Sequence, residues 1–126
     1  MAQEVKQENL KQEIVDVKDF QGRQFQVFTD NFHVMKAALR YFSVDVGMSF
    51  TSTKISKKFP VTASVAGTCL TLMEELDIVE PRNSSASPKR FRPQNVDLER
   101  LLQVEEVLVE SLEIRSFSGK EQPDTI

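Results

Sequence analysis

The chain has 126 residues, a formal net charge of −3, and 40% hydrophobic and 28% charged residues, which is an ordinary globular composition. Its length is typical of one domain with its own core. One cysteine excludes an internal disulfide, and a single cysteine with a single histidine argues against a structural zinc site within the chain. No apolar run approaches the ~18 residues of a membrane span. We therefore expect a cytoplasmic protein with no membrane partner, no metal and no cofactor.

The charges are distributed unevenly along the chain. Between residues 54 and 95 there are seven basic and four acidic residues, whereas between residues 96 and 114 there are six acidic residues and one basic residue. A basic middle and an acidic C-terminal segment indicate two surfaces with different roles.

Residues 1–29 predict an N-terminal arm followed by a β-hairpin. In the second half of this segment, Val15 and Val17 alternate with polar residues, and so do Phe25 and Val27. A three-residue loop with Gly22 in the left-handed conformation would join the two strands.

Apolar residues at helical spacing predict a first helix after the cap residue Asp30. Thr51 or Ser52 caps a short second helix, which ends at Pro60 because proline disfavours helix at the residue before it. Thr62 caps a third helix.

Residues 78–93 predict two short strands joined by an exposed loop, since residues 83–87 are turn formers flanked by basic residues. Asp97 or Asn95 then caps a final helix within residues 96–115, and residues 116–126 predict a disordered tail.

The apolar surface of the final helix is wider than the helix needs to pack against the rest of its own domain. We expect Val104, Val107 and Ile114 to remain exposed in a monomer and to form a symmetric dimer interface between two copies of this helix. The alternative is that scattered surface valines need no partner.

The segment ISKKFPVTASVAGTCLTLMEELDIVEPR resembles the core of winged helix-turn-helix domains. It has a short helix, a tight turn, a Thr-capped helix and a strand that would start a β-wing. The resemblance covers about residues 30–93. It implies an α+β fold with a winged helix-turn-helix domain at residues 30–95, although Pro60 stands where the family usually has glycine.

The resemblance also implies contact with double-stranded DNA, with the third helix in the major groove and the wing on the phosphate backbone. The basic residues of the second helix and wing, and the hydroxyl residues of the third helix, would make the contacts: Lys54, Lys57, Lys58, Thr62, Ser64, Thr68, Thr71, Arg82, Lys89, Arg90 and Arg92. For the basic residues the alternative is an ordinary solvated surface. None of the hydroxyl side chains has the long head that reads guanine or adenine edges. Mid-helix Gly67 indicates a close approach of DNA or of a protein.

The predicted function is therefore a DNA-binding transcriptional regulator that acts as a homodimer. The alternative is a protein-interaction module within a larger assembly, which the weak base-reading chemistry of the third helix and the negative net charge favour. Phe91 could stack on a base, but we favour an inward position that seals the sheet. The lone His33 has no nearby nucleophile or metal ligand, and Cys69 lies on an apolar helix face. We predict no catalytic residues and no enzyme activity.

Overall fold

The computed structural model describes residues 2–82 and 89–115, with side chains described from residue 9 onward. This part of the chain contains the following elements: α1 (Ala2–Phe20), α2 (Gly22–Asp30), α3 (Phe32–Arg40), a π-helical turn (Tyr41–Asp45), α4 (Ser52–Lys58), α5 (Ala63–Glu75), a 3₁₀ turn (Pro93–Asn95) and α6 (Leu98–Glu110). The predicted loop at residues 83–87 and the predicted tail at residues 116–126 lie outside the described residues.

The expected α+β winged-helix fold is wrong, because residues 2–82 and 89–115 form helices and no β-strand. Two isolated antiparallel bridges, Phe50–Phe91 and Val79–Val96, stand where the wing was expected. The physical reason lies partly in Pro93, which opens a 3₁₀ turn and has no N–H to donate. This turn interrupts the pairing between residues 78–82 and 90–97, so a regular sheet does not form.

The N-terminal β-hairpin is also wrong, since α1 extends to Phe20 and α2 begins at Gly22. The alternation of apolar residues was misleading because the same segment also has a helical period. Leu10 and Ile14 lie one turn apart on the buried face of α1, and Phe25 and Phe28 do so on α2. The left-handed conformation expected for Gly22 is not needed in a helical first turn.

Side-chain caps fix the starts of three helices as the sequence predicts. The Thr51 hydroxyl accepts from the Lys54 N–H at 3.2 Å, and the Thr62 hydroxyl accepts from the Val65 N–H at 3.1 Å. The Asp97 carboxylate accepts from the Arg100 N–H at 3.0 Å. Each cap satisfies a backbone donor that the helix itself leaves free. Asp30, in contrast, is the last residue of α2 and caps nothing.

Helix α5 is central to the core and packs against both α2 and α4. Its buried side chains meet an aromatic cluster in which Phe28 contacts Phe25 and Phe32, with ring centroids 6.1 and 5.5 Å apart. Because α5 is covered on two sides, only a narrow stripe of this helix faces solvent.

Val104 and Val107 are buried within one chain, at 0% and 4% exposure, and Ile114 packs partly buried against the core. They are therefore not an exposed dimer interface. The reason is that α1, which the sequence analysis treated as an arm and hairpin, packs along α6. An ion pair of 2.9 Å between Arg100 and Glu13 joins the two helices.

Candidate nucleic-acid interface

The Phe50–Phe91 bridge orients the basic residues that flank Phe91. The two residues exchange both backbone hydrogen bonds at 2.9 Å, and their buried rings stack with centroids 5.5 Å apart. Neighbouring side chains along an extended segment point to opposite faces. Arg90 and Arg92 therefore project away from the core. The inward position favoured for Phe91 is confirmed, since its side chain is 1% exposed.

The same bridge brings these arginines to the start of α4. In antiparallel pairing, Thr51 stands opposite Arg90, and Ser49 stands opposite Arg92. Thr51 is the cap of α4. The Lys54 ammonium donates to the Ser49 carbonyl at 3.2 Å, which holds this lysine against the segment that pairs with residues 90–92.

Arg82 joins the group through the backbone, since its N–H donates to the Arg90 carbonyl at 2.8 Å. The structure thus gathers Lys54, Arg82, Arg90 and Arg92 from three separate stretches of sequence. We call these four residues the basic strip. Arg82, Arg90 and Lys54 are exposed, and Arg92 is half-buried.

Lys89 lies next to the basic strip but its charge is already compensated. Its ammonium is 2.9 Å from a carboxylate oxygen of Glu74 in the last turn of α5. This ion pair crosses from the 89–92 segment to α5. Glu74 was missed by the sequence analysis, which had no signal for a contact between residues fifteen positions apart.

The two remaining lysines of α4 differ from each other. Lys57 is exposed, and the Lys58 ammonium lies 5.0 Å from the centroid of the Tyr41 ring. That distance is typical of a cation–π contact. Lys58 is therefore fixed at the C-terminal end of α4, away from the α4 start where the basic strip gathers.

The hydroxyl residues of α5 form its narrow exposed stripe. Ser64 and Thr71 are exposed and Thr68 is half-buried, whereas the Thr62 hydroxyl is used as the helix cap. The Thr71 hydroxyl donates to the Gly67 carbonyl at 3.0 Å, so its donor is already used within the helix. These groups offer little for reading base edges.

Gly67 faces the start of α4. A Cβ atom at this position would lie 3.9 Å from both Cβ and Oγ of Ser52. Its nearest neighbour is thus Ser52 of the same chain, and the close approach of DNA or another protein to Gly67 stays a prediction. The contact places the middle of α5 next to the start of α4.

Acidic groups border this surface on another side. A cleft of about 740 Å³ lies between residues 77–81 and 94–98, and four carboxylates line it: Glu74, Asp77, Glu80 and Asp97. Such a lining disfavours a polyanion.

His33 and Cys69, the histidine and the cysteine weighed in the sequence analysis, both make contacts within the fold. A ring nitrogen of His33 lies 2.9 Å from the Arg115 carbonyl oxygen. Cys69 is buried, which raises the pKa of its thiol to about 12. Across residues 2–82 and 89–115, no group of three or more His, Cys, Asp or Glu side chains is arranged to hold a metal ion.

Comparisons with family models, with curated proteins and with solved structures found no match to this chain. Within the described residues, none of the helices combines the length and the apolar character that crossing a membrane requires.

Proposed function

We propose that this protein binds double-stranded DNA through the basic strip of Lys54, Arg82, Arg90 and Arg92. The observation that carries the proposal is the Phe50–Phe91 bridge, which turns Arg90 and Arg92 outward at the start of α4. Arginine suits phosphate because its planar guanidinium donates two parallel hydrogen bonds.

A duplex is favoured over a single strand by the position of the aromatic rings. Binding of single strands depends on exposed aromatic side chains on which bases stack. Phe50 and Phe91, the rings beside the basic strip, are both 1% exposed. Contact through phosphate groups of a duplex needs no such platform.

Sequence preference is expected to be weak. The α5 stripe beside the start of α4 has small hydroxyl groups, and Thr71 already donates to Gly67. Because phosphate contacts position a protein and base contacts specify a sequence, the basic strip alone gives affinity without strong selection.

The test is the salt dependence of binding to a random duplex, measured by fluorescence anisotropy. Four phosphate contacts predict a log–log slope of about −3.6, and Arg90→Ala with Arg92→Ala should reduce its magnitude by about 1.8. The control is Arg23→Ala with Arg115→Ala, which removes two exposed arginines outside the basic strip. If both double variants reduce the salt slope equally, net charge alone explains the result and the proposal is refuted. Absence of binding at low salt would also refute it.

Protein interaction is the second candidate function, and one surface favours it. Val44, Val46 and Met48 are 56%, 43% and 44% exposed within five residues that include Gly47. Such clustering of exposed apolar side chains is typical of contact surfaces. Val44→Ser with Met48→Ser leaves DNA binding unchanged if this surface serves only a protein partner.

A further inference from the structure

The segment between Phe42 and Phe50 forms a closed loop on the surface. The rings of Phe42 and Phe50 stack with centroids 5.3 Å apart, which holds the two ends of the loop together. The Met48 N–H donates to the Phe42 carbonyl at 2.8 Å, and Gly47 takes a left-handed conformation with φ of 58°. We call residues 43–49 the apolar finger. Its base is fixed by the aromatic stack and its shape by this hydrogen bond.

The apolar finger presents large apolar side chains to solvent. Val44, Val46 and Met48 are each about half exposed, although both ends of the loop are anchored in the core. Grouped side chains of this kind are typical of a contact surface. Asp45 is exposed between the two valines and is the one acidic residue of the finger. Its carboxylate would be repelled by an anionic ligand, so Met48, three positions away, is the apolar residue best placed to approach one.

The apolar finger and the basic strip share the same base. Phe50 stacks on both Phe42 and Phe91, with ring centroids 5.3 and 5.5 Å apart. Arg90 and Arg92 flank Phe91, so the stack that fixes the finger also fixes these two arginines. The π-helical turn that begins the finger packs against the 3₁₀ turn that follows Arg92. A ligand that covers the finger therefore also meets the cations of the basic strip.

Duplex DNA suits both parts of this combined surface. Proteins that bind the minor groove insert apolar side chains, methionine among them, between base steps while their cations hold the adjacent phosphates. Met48 is unbranched and flexible, and it precedes Ser49, which stands opposite Arg92 in the antiparallel pairing. A purely apolar protein partner would leave the basic strip without a counter-charge.

We infer that the apolar finger is a DNA wedge: Met48, with Val46 beside it, inserts between two base pairs from the minor groove and bends the duplex that the basic strip holds. This inference rests on the proposed DNA binding and names the form of the ligand. Insertion costs unstacking energy, which is smaller at flexible pyrimidine–purine steps and at unpaired sites. The protein therefore selects deformable DNA, although it has few groups that read bases.

The experiment compares the wild-type chain with Val46→Ser combined with Met48→Ser. The probes are a random duplex with a donor and an acceptor dye at its ends, and the same duplex with an unpaired bulge at its centre. The wild type should bend the intact duplex by about 20° or more and bind the bulged duplex on the order of tenfold more tightly. The double variant should lose the bend and the preference but keep the salt slope, because the basic strip is unchanged.

The matched control is Val15→Ser combined with Leu102→Ser, which changes two similarly exposed apolar residues of α1 and α6. It should bend DNA and prefer the bulge as the wild type does, and circular dichroism should show that both double variants are folded. Equal loss of bending in the control would attribute the effect to general apolar surface and overturn the wedge.

The outcomes separate the wedge from the proposed DNA binding. A wild-type chain that binds with the expected salt slope, leaves the duplex straight and has no preference for the bulge overturns the wedge alone. Absence of salt-dependent binding overturns both proposals. If Val46→Ser with Met48→Ser weakens binding to phosphatidylserine vesicles and leaves DNA bending unchanged, the finger contacts a lipid surface and the wedge is likewise overturned.

Discussion

The Lys89 ammonium and the Glu74 carboxylate lie 2.9 Å apart and connect the 89–92 segment to the last turn of α5. Both side chains are about one-third exposed, so the contribution of this pair to stability is small. The ion pair matters more for the charge of the surface than for stability. Glu74 neutralises a lysine next to two exposed arginines, Arg82 and Arg90, and the half-buried Arg92.

Under the proposed DNA binding, Glu74→Gln should increase the affinity for duplex DNA, because it releases a fifth cation, Lys89, beside the basic strip. The expected change is a steeper salt dependence, by up to about 0.9 in log–log slope for one added phosphate contact. Anisotropy titrations at several salt concentrations measure it.

The matched control is Glu75→Gln, which removes the same charge from the neighbouring residue. Glu75 accepts from the Gln21 amide at 2.7 and 2.9 Å, and among the described residues it pairs with no lysine. If both variants steepen the salt dependence equally, net charge explains the result and the Lys89 pair does not.

Gly67→Ala should stabilise the fold. The added Cβ makes ordinary van der Waals contact with Ser52, and alanine is favoured over glycine inside a helix by about 1 kcal/mol. Urea unfolding measures the difference.

Gly47→Ala is the contrasting variant. Space is available there, but φ is +58°, and an L-residue in this conformation costs about 1 kcal/mol. If Gly67→Ala instead destabilises the protein, Ser52 must lie closer to position 67 than the 3.9 Å seen in the structure.

The sequence predicts the features of this fold that depend on neighbouring residues. Thr51, Thr62 and Asp97 could be identified as caps because each needs only a hydroxyl or carboxylate and a donor three positions later. The outward direction of Arg90 and Arg92 likewise follows from one inward residue, Phe91, in an extended segment.

Features that depend on distant residues could not be predicted in this way. Val15 and Val17 satisfy a two-residue period, and Leu10 and Ile14 satisfy a helical one, so the local pattern of α1 is ambiguous. Packing of α1 against α6 resolves it, and that same packing buries Val104. The error at the N-terminus therefore caused the error at the dimer interface.

Val104→Glu should prevent folding, whereas a Val104 exposed in the monomer, as the sequence predicts, would tolerate the change. The side chain is 0% exposed, and an unpaired carboxylate in the core costs several kcal/mol, a large part of the stability of a small domain. Circular dichroism should show loss of helix. Leu102→Glu is the control on the same helix, and with 52% exposure it should remain folded. A folded Val104→Glu chain would show that α1 does not cover α6.

Cys69 should react with thiol reagents only when the chain unfolds. Its side chain is 0% exposed, its Sγ lies 3.9 Å from the Val27 carbonyl, and burial raises the pKa of the thiol from 9.0 to about 12. The thiolate is the reactive form, so the native protein at pH 8 should react far more slowly than the denatured protein.

The raised pKa of Cys69 also affects the stability of the fold. Below pH 9 the thiol is protonated in both states, whereas between pH 9 and 12 the unfolded chain loses the proton and the folded chain retains it. The free energy of unfolding should therefore decrease over this range more in the wild type than in Cys69→Ala, which lacks the thiol. If the free energies of unfolding of the wild type and Cys69→Ala change in parallel with pH, Cys69 is accessible to water. Equal reaction rates for the native and the denatured protein would show the same.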